Sequence, residues 1–336
     1  MNKLDEDYKT LLNHILVNGK SKNDRTGTGT ISVFDYTIRH KMEDGFPILT
    51  TKKVSIKNVI SELLWFLGNH LNNPKYQNFE RTNIKYLLDQ NNYIWIGDCY
   101  KSFLKLQNNE FLSLEQFSDR IKNDDEFCNK YGNLGPVYGH QWRGREIDQI
   151  SQMISDLKNN PDSRRILVDC WQFEKISEMT LPPCHYTFQC YTYEMDLNER
   201  ISEYCKSLNK NVSYGKNLEV DFLDKNNFPK RKLSLKFTAR STDDFLGLPY
   251  NLASYGLLLM MLAKETNMIC DELIYSGGDV HLYKNHLSQA RLQIGRESYK
   301  LPTITFTDNN IFDLKVEDFT LHNYISHPAI KADLSN

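Results

Sequence analysis

The sequence has no long hydrophobic run, no CxxC pair and almost no net charge. Its longest apolar stretch, roughly residues 255–263, is too short to cross a bilayer and is followed directly by Lys264 and Glu265. The opening residues, MNKLDEDYKT, carry charges where a secretory signal needs an apolar core. We therefore expect a cytoplasmic protein without a membrane-spanning segment.

Charge and cysteine content exclude further classes of protein. The 41 basic and 43 acidic residues give a formal net charge of -2, which provides no bulk attraction to nucleic acid, although a local RNA-binding patch stays open. Seven cysteines, an odd number, disfavour both a disulfide framework and a zinc ribbon. His281 and His286 are five positions apart, off the i, i+4 spacing of paired ligands, and no metal site is expected.

What the chain does contain fits one catalytic domain covering residues 1–336. Hydrophobic residues make up 40% and aromatic residues 12%, enough for a substantial core. Two stretches, about 101–130 and about 194–230, mix scattered apolar residues with polar and acidic runs. No Gly/Ser-rich or Pro-rich linker occurs, so we interpret both stretches as surface insertions in that domain rather than as further domains.

Helical and strand periodicities occur in blocks along the chain rather than in strict alternation. This order predicts an α+β fold. In the clearest helix the apolar residues recur at i, i+3, i+4 and i+7, and Gly68 ends the pattern. Asn251 is interpreted as the N-cap of a second, buried helix. The predicted strands cover 167–171, 186–193 and 232–240, and the predicted helices cover 55–68, 251–263 and 279–294.

Cys184 and Glu62 are the first candidates for chemistry. Two prolines in LPPCH fix the backbone before Cys184, and a nearby cation would lower its thiol pKa from about 8.5. Taken alone, this cysteine is more typical of a small buried hydrophobe than of a nucleophile. Glu62 lies in the helix at 55–68, where burial would raise its pKa toward the range useful for proton transfer. Its alternative role is an early-turn acid favoured by the helix dipole.

Several polar residues indicate a ligand with a phosphate, a sugar and a base. Guanidinium groups suit phosphate oxygens better than ammonium groups do, although each arginine alone could be a solvated surface charge. The Asn251 side chain offers one acceptor and two donors, which match a pyrimidine edge with a carbonyl and an N–H. His281 and Tyr283 could donate to sugar hydroxyls. The arginines are Arg25, Arg164, Arg165 and Arg240, the last followed by Ser241.

The order of the motifs is more specific than any one of them. The two predicted insertions fall outside the matching blocks, and we expect no second catalytic domain. Through these blocks the chain strongly resembles the stand-alone thymidylate synthase family. The blocks are NDRTGTGT (23–30), DGFPILTTKK (44–53), ELLWFLG (62–68), NLGPVYGHQWR (133–143), PDSRRI (161–166), PPCH (182–185), RSTDDFLGLPYN (240–251), GGDVHLYKNH (277–286) and HPAIKA (327–332).

The resemblance implies an α+β homodimer in which a kinked mixed sheet packs against the partner's sheet. It also implies a methyltransferase that converts dUMP to dTMP. The cosubstrate would be 5,10-methylenetetrahydrofolate, which gives both the carbon and the hydride and leaves as dihydrofolate. No metal is implied. Cys184 would add to pyrimidine C6, which saturates the ring and makes C5 a nucleophile. Holding both ligands in line can supply about 7–11 kcal/mol of the barrier reduction.

The resemblance also assigns roles to individual residues. Cys184 would be the nucleophile, and Glu62 would organise proton transfer at the pyrimidine O4, with Tyr138 and His185 supporting it. Asn251 would read the uracil edge. The residues implied to hold dUMP are Arg25, Arg164, Arg165, Arg240, Ser241, Asp243, Asn251, His281 and Tyr283, of which Arg164 and Arg165 come from the other subunit. The residues implied to contact folate are Lys52 at the glutamate tail, Trp95 as a shield from water, Asp243 at the pterin ring, Leu246, Gly247 and Tyr250.

Three positions depart from the family pattern. Ala239 stands where a glutamine usually precedes the Arg-Ser pair, and Ser55 stands where a folate-contacting histidine is common. The chain ends ADLSN instead of the usual small apolar residues that close over the folate. All three changes concern binding more than chemistry, so the expected enzyme class is unaffected.

Two alternative functions follow from the same residues. A pyrimidine nucleotide hydroxymethylase of this fold would let water quench the methylene intermediate. Asn251 favours uracil over cytosine, and Trp95 favours methylation because it excludes water. The other alternative is a non-catalytic nucleotide- or RNA-binding descendant. The presence of Cys184, Glu62 and Asn251 together argues against it.

Overall fold

The computed structural model describes residues 2–106, 112–208 and 220–335. The segments 107–111 and 209–219, which belong to the two predicted insertions, lie outside the described residues. So does Asn336, the last residue of the polar tail. The boundaries of the predicted single domain stay a prediction.

Helices and strands follow one another in blocks, as the periodicity predicts. The α-helices are α1 (Lys3–Asn18), α2 (Ile56–Leu67), α3 (Lys85–Asp89), α4 (Ile96–Leu106), α5 (Leu114–Asn123), α6 (Asp125–Tyr131), α7 (Tyr138–Arg143), α8 (Gln149–Asn159), α9 (Leu197–Ser207), α10 (Val220–Lys225), α11 (Leu248–Glu265) and α12 (Leu287–Ile294). The strands are β1 (Lys20–Lys22), β2 (Thr30–Lys41), β3 (Leu167–Asp169), β4 (His185–Glu194), β5 (Arg231–Asp243), β6 (Ile269–Tyr283), β7 (Thr303–Phe306) and β8 (Phe319–His322).

Six strands form a mixed sheet in the order β1-β2-β6-β5-β4-β3. β5 and β6 run parallel, whereas the other neighbouring pairs are antiparallel. The register shifts between His185 and Thr187 and between Leu233 and Leu235. Irregularities of this kind bend a strand and increase its twist. The predicted α+β class, with a mixed sheet packed against helices, is confirmed.

The helix predicted at 55–68 is α2, and its two ends explain its length. Ser55 caps its N-terminus by accepting a hydrogen bond from the backbone N–H of Asn58. Gly68 ends it in the left-handed conformation, at φ 77°, and its N–H bonds back to Leu64. The helix packs against α11, and each of its fully buried leucines contributes about 1.5–3 kcal/mol.

Two sequence-based assignments are wrong at their boundaries. The helix expected from Asn251 begins at Leu248, so Asn251 lies in the first turn and Gly247 is the N-cap. Pro249 explains the earlier start, because proline is well tolerated in a first turn. The helical pattern expected over 279–294 is interrupted, since 279–283 belongs to β6. That segment pairs with β2 on one side and β5 on the other. The hydrogen bonds to two neighbouring strands stabilise an extended backbone more than the helical spacing of its apolar residues favours a helix.

The described part of the first insertion contributes side chains to the core. Phe103 of α4 lies with its ring centroid 4.9 Å from Phe117 of α5 and 5.7 Å from Phe127 of α6. All three rings are buried. Scattered apolar residues on three short helices therefore meet in one aromatic cluster, which the periodicity of each helix alone does not reveal.

Gly68→Ala should destabilise the chain by about 2 kcal/mol, because a Cβ is strained at positive φ and would lie 1.6 Å from Arg81 Nη1. Gly27→Ala is the matched control. Gly27 has φ 78° but no neighbouring atom within 4 Å, so its replacement should cost only about 1 kcal/mol. Urea unfolding at one fixed protein concentration measures both. Equal costs would contradict the steric role of Arg81.

Candidate active site

A cavity of about 390 Å³ opens at one edge of the six-stranded sheet. β5 and β6 are parallel, so their carboxyl ends meet at this edge, and the antiparallel β4 begins there. Residues far apart in sequence thereby face one space. The predicted site residues that line it are Arg25, Cys184, Arg240, Ser241, Asp243, Leu246, Gly247, His281 and Tyr283. Their roles stay predictions.

Cys184 is held at the start of β4 by its own backbone. Its backbone N–H donates to the Tyr138 hydroxyl at 2.7 Å, and its carbonyl accepts from the backbone N–H of Arg240 at 2.8 Å. Burial raises the thiol pKa, while the positive charges of Arg240 and Arg25 act to lower it. The sulfur therefore faces the cavity with two cations nearby, as a nucleophilic cysteine requires.

The two prolines before Cys184 also fix Arg240. The guanidinium of Arg240 donates through Nε to the Pro183 carbonyl at 2.9 Å and through Nη2 to the Pro182 carbonyl at 3.0 Å. The same guanidinium lies 5.5 Å from the centroid of the Trp171 ring. The position of this cation is thus coupled to the loop that carries the thiol.

Glu62 and Trp95 form a hydrogen-bonded pair. The indole Nε1 of Trp95 donates to Glu62 Oε1 at 2.8 Å. Burial raises the pKa of Glu62 to about 7, and the indole bond opposes part of that rise. Trp95 is itself buried, 5.9 Å from Trp65 and 6.0 Å from Tyr138 between ring centroids. A carboxyl with this pKa can both give and take a proton near neutral pH.

His185 points away from the cavity and into an aromatic layer. Its ring stacks on Tyr138 at 4.2 Å, and its Nδ1 lies 2.7 Å from the Tyr255 hydroxyl. Burial lowers its pKa to about 3, so it is neutral at physiological pH. Strand alternation explains the arrangement, because neighbouring side chains in an extended segment face opposite sides. His185 is therefore not part of the cavity wall, and its ring stacks on the tyrosine whose hydroxyl accepts from the Cys184 N–H.

Besides His185, eight predicted residues are not part of the cavity wall in this chain: Glu62, Trp95, Tyr138, Lys52, Asn251, Tyr250, Arg164 and Arg165. Asn251 and Tyr250 lie in the first turn of α11, next to Gly247, which does line it. Arg164 and Arg165 are exposed on the turn before β3. In a single chain the cavity therefore holds only two of the four predicted phosphate ligands, Arg25 and Arg240.

Lys52 is buried, which the sequence does not predict for a residue that contacts a charged tail. Its ammonium donates to the Phe245 carbonyl and lies 3.7 Å from the centroid of the Phe245 ring. Burial lowers its pKa to about 7. The following Lys53 is exposed. A contact of Lys52 with the folate tail stays a prediction and requires the ammonium to leave Phe245.

The polar C-terminal segment reaches the same cavity, where Leu334 and Ser335 form part of the wall. Sequence reasoning also missed two acids. Asp24 accepts from the N–H groups of Thr26 and Gly29, at 2.8 and 2.7 Å, and so shapes the loop that carries Arg25. Asp98, three positions after Trp95, lines the cavity, and burial raises its pKa. Spacing of i, i+3 on a helical segment was the available signal.

The described parts of the chain contain no three His, Cys, Asp or Glu side chains close enough together to hold a metal ion. Nor does any helix within those parts have both the length and the apolar character to cross a membrane.

Comparison with known proteins decides the family. The sequence model of the thymidylate synthase family matches residues 6–336. The thymidylate synthase of Mycoplasma mobile is 42% identical over 333 residues, which cover 98% of this chain and 99% of that protein. The thymidylate synthase of Listeria monocytogenes serotype 4a (strain HCC23) is 38% identical over 359 residues, with the same coverage. The chain belongs to the thymidylate synthase family.

Membership of the thymidylate synthase family confirms the predicted enzyme class. The chain is a methyltransferase that converts dUMP to dTMP with 5,10-methylenetetrahydrofolate as cosubstrate. The match also favours methylation over hydroxymethylation and over a non-catalytic descendant, because it extends over nearly the whole chain.

Glu62→Gln should flatten the pH dependence of stability between about pH 4.5 and pH 7. Because the folded-state pKa is raised, the folded chain binds this proton more tightly than the unfolded chain. The resulting stabilisation is complete below pH 4.5 and is lost as pH rises through 7, by at most about 3 kcal/mol.

Urea unfolding of both proteins at pH 4.5 and pH 8 measures this difference. The exposed Glu126→Gln variant is the matched control and should keep the wild-type dependence. If Glu62→Gln and wild type lose equal stability over this range, Glu62 is not the titrating group.

Proposed function

We propose that the cavity beside Cys184 is the site where dUMP is methylated. The observation that carries this proposal is the convergence of a thiol, two arginines and two sugar-binding candidates on one space. The thiolate would bond to pyrimidine C6, and the electrons of the C5–C6 double bond would move toward O4. C5 then bonds to the folate methylene carbon and loses its proton.

The remaining steps restore the ring and complete the methyl group. Breaking the bond between the methylene carbon and folate nitrogen leaves an exocyclic methylene on the pyrimidine. A hydride from tetrahydrofolate reduces this methylene to methyl, and the folate becomes dihydrofolate. The C6–S bond then breaks, which reforms the C5–C6 double bond and releases dTMP. The chain supplies no oxidant or reductant, because the folate provides the hydride.

Proton movement during these steps is assigned to Glu62. Its pKa of about 7 suits a group that protonates and deprotonates a substrate oxygen near neutral pH. The Trp95 indole fixes one carboxyl oxygen at 2.8 Å and, being buried, excludes water from the intermediate. Tyr138 links this region to the nucleophile through the Cys184 N–H. Asn251, one turn into α11, would read the uracil edge.

Asp243 is oriented for a folate contact. Its Oδ1 accepts from the N–H groups of Phe245 and Leu246, at 2.9 and 3.0 Å. These bonds fix the carboxylate, so that Oδ2 is available for a pterin N–H. Leu246, Gly247 and Tyr250 follow on the same segment and would form the wall against which the folate ring packs.

The proposal includes a homodimer that completes the phosphate site. Arg164 and Arg165 are exposed outside the cavity of their own chain, as a pair donated to a partner would be. An apolar face supports the same assembly: Phe34 is 87% exposed and Phe173 78% exposed, on a groove of the sheet lined largely by apolar atoms. Ala239 lines this groove. A two-fold pair would bury the face and exchange the arginines reciprocally.

A cytoplasmic location and an RNA-binding patch stay predictions. Neither is needed for the reaction, since every group invoked above belongs to the chain, its copy or the two ligands.

Cys184→Ala should lower the rate of dTMP formation by at least about 10³-fold, because no other described side chain is placed to form the C6 adduct. Tritium release from 5-tritiated dUMP and product identification measure it, and dUMP binding should persist. Cys205→Ala, outside the cavity, is the matched control and should keep full activity. Hydroxymethyl-dUMP and tetrahydrofolate as the main wild-type products would contradict methylation.

Mixed dimers should test the shared phosphate site. Cys184→Ala and the double variant Arg164→Ala, Arg165→Ala should each be nearly inactive alone. A dimer with one subunit of each kind has one intact site and one doubly defective site. Random pairing makes half of all dimers mixed, so about a quarter of wild-type activity should return. Activity no greater than the sum of the separate variants would show that the arginines serve their own chain.

A further inference from the structure

The last residues of the chain, 323–335, form no helix or strand and are held by hydrogen bonds to other segments. We call these residues the tail. Tyr324 donates to the Leu49 carbonyl at 2.7 Å. His327 donates its backbone N–H to the Thr50 carbonyl at 2.9 Å, and Arg296 Nη1 donates to the Pro328 carbonyl at 2.7 Å. These three bonds fix the first half of the tail.

In the second half of the tail, Ile330 and Ala332 pack against the hydrophobic core, and one side chain among the described residues makes a hydrogen bond to it. His286 Nε2 lies 2.7 Å from the carbonyl oxygen of Asp333. Leu334 and Ser335 come next and form part of the wall of the cavity that contains Cys184. The bond from His286 is therefore the last anchor before the tail reaches the active site.

The chemistry of this bond fixes the form of the imidazole. A carbonyl oxygen can only accept, so the Nε2 atom of His286 carries the proton of this bond. His286 is fully buried, and Nδ1 has no hydrogen-bond partner among the described residues. A buried nitrogen without a partner carries a desolvation penalty, which an apolar side chain of similar size would avoid. The buried imidazole therefore lowers the stability of the core, and the bond to the Asp333 carbonyl is the interaction that compensates for it.

The surroundings of His286 connect the tail to both ligand regions. The ring centroid of Phe245, which follows Asp243, lies 5.6 Å away, and that of Tyr283 lies 5.8 Å away. Tyr283 is a predicted nucleotide contact, and the segment around Phe245 is the predicted folate wall. One buried imidazole thus lies against the rings of Phe245 and Tyr283 and also bonds to a backbone carbonyl of the tail.

We infer that His286 is a positioning residue that latches the C-terminal tail over the active-site cavity and thereby strengthens folate binding. The folate part of this inference rests on the proposed function; the latch itself does not. His286 contacts no substrate in this scheme. It acts through the Asp333 carbonyl, which fixes where Leu334 and Ser335 stand. The latch is compatible with a polar tail, because the bond needs only a backbone carbonyl and no particular side chain.

His286→Leu tests the latch, since leucine fills the space but cannot donate. The KM for methylenetetrahydrofolate should rise about fivefold to tenfold, as expected for loss of one neutral hydrogen bond, while the Kd for dUMP changes by less than about twofold. His286→Gln keeps an N–H donor and should restore most of the folate KM. His40→Leu is the matched control: His40 is also buried and bonds through Nε2 to a backbone carbonyl, that of Gly45 at 2.8 Å, outside the cavity.

A second measurement needs no enzyme activity. Lys331 is exposed, and trypsin cleavage after it releases residues 332–336, which mass spectrometry detects. If the latch holds the tail, His286→Leu should speed this cleavage at least about fivefold, and His40→Leu should not. Unchanged cleavage, or equal acceleration by both variants, would overturn the latch. Faster cleavage with an unchanged folate KM would overturn the positioning role. A wild-type chain that forms no dihydrofolate would refute the proposed function, and cleavage would still decide the latch.

Discussion

The parallel pairing of β5 and β6 is the constraint on which the site depends. Its register places Ser241 beside Asp279 and Asp243 beside His281, so the ends of two long strands present their polar residues together. β4 joins the same edge with His185 paired to Ala239, which puts Cys184 one residue beyond the ladder. A slip of one residue in either ladder would turn alternate side chains to the other face and disperse the site.

Burial shifts the pKa values of charged side chains in and around the site, and each buried charge lowers the stability of the fold. Glu62 and Lys52 have pKa values near 7 because each charge lies in a poorly solvated place, and burial also raises the pKa of Cys184. Asp244, next to Asp243, is fully buried, and the same effect raises its pKa well above the ordinary value. The large aromatic core offsets such penalties, so that groups able to exchange protons near neutral pH can be kept in a stable fold.

Local signals in the sequence predicted much of this arrangement. The ends of α2 follow from Ser55 and Gly68, and the cavity is lined by half of the site residues that the ordered motifs single out. What the sequence could not predict depends on distant contacts. Segment 279–283 is a strand because β2 and β5 pair with it. Lys52 is buried because the backbone carbonyl of Phe245, nearly two hundred positions later, accepts a hydrogen bond from its ammonium.

The first insertion illustrates the same dependence on contacts far apart in the chain. One side of α4 carries Asp98, three positions after Trp95, into the cavity. Its other side packs into the aromatic cluster of α5 and α6, where Phe103 meets Phe117 and the Cys99 thiol lies 3.2 Å from the Tyr131 carbonyl. Because α4 has contacts on both sides, it has little freedom to shift. The described part of a segment that reads as surface decoration therefore packs behind the helix that carries Asp98 into the cavity wall.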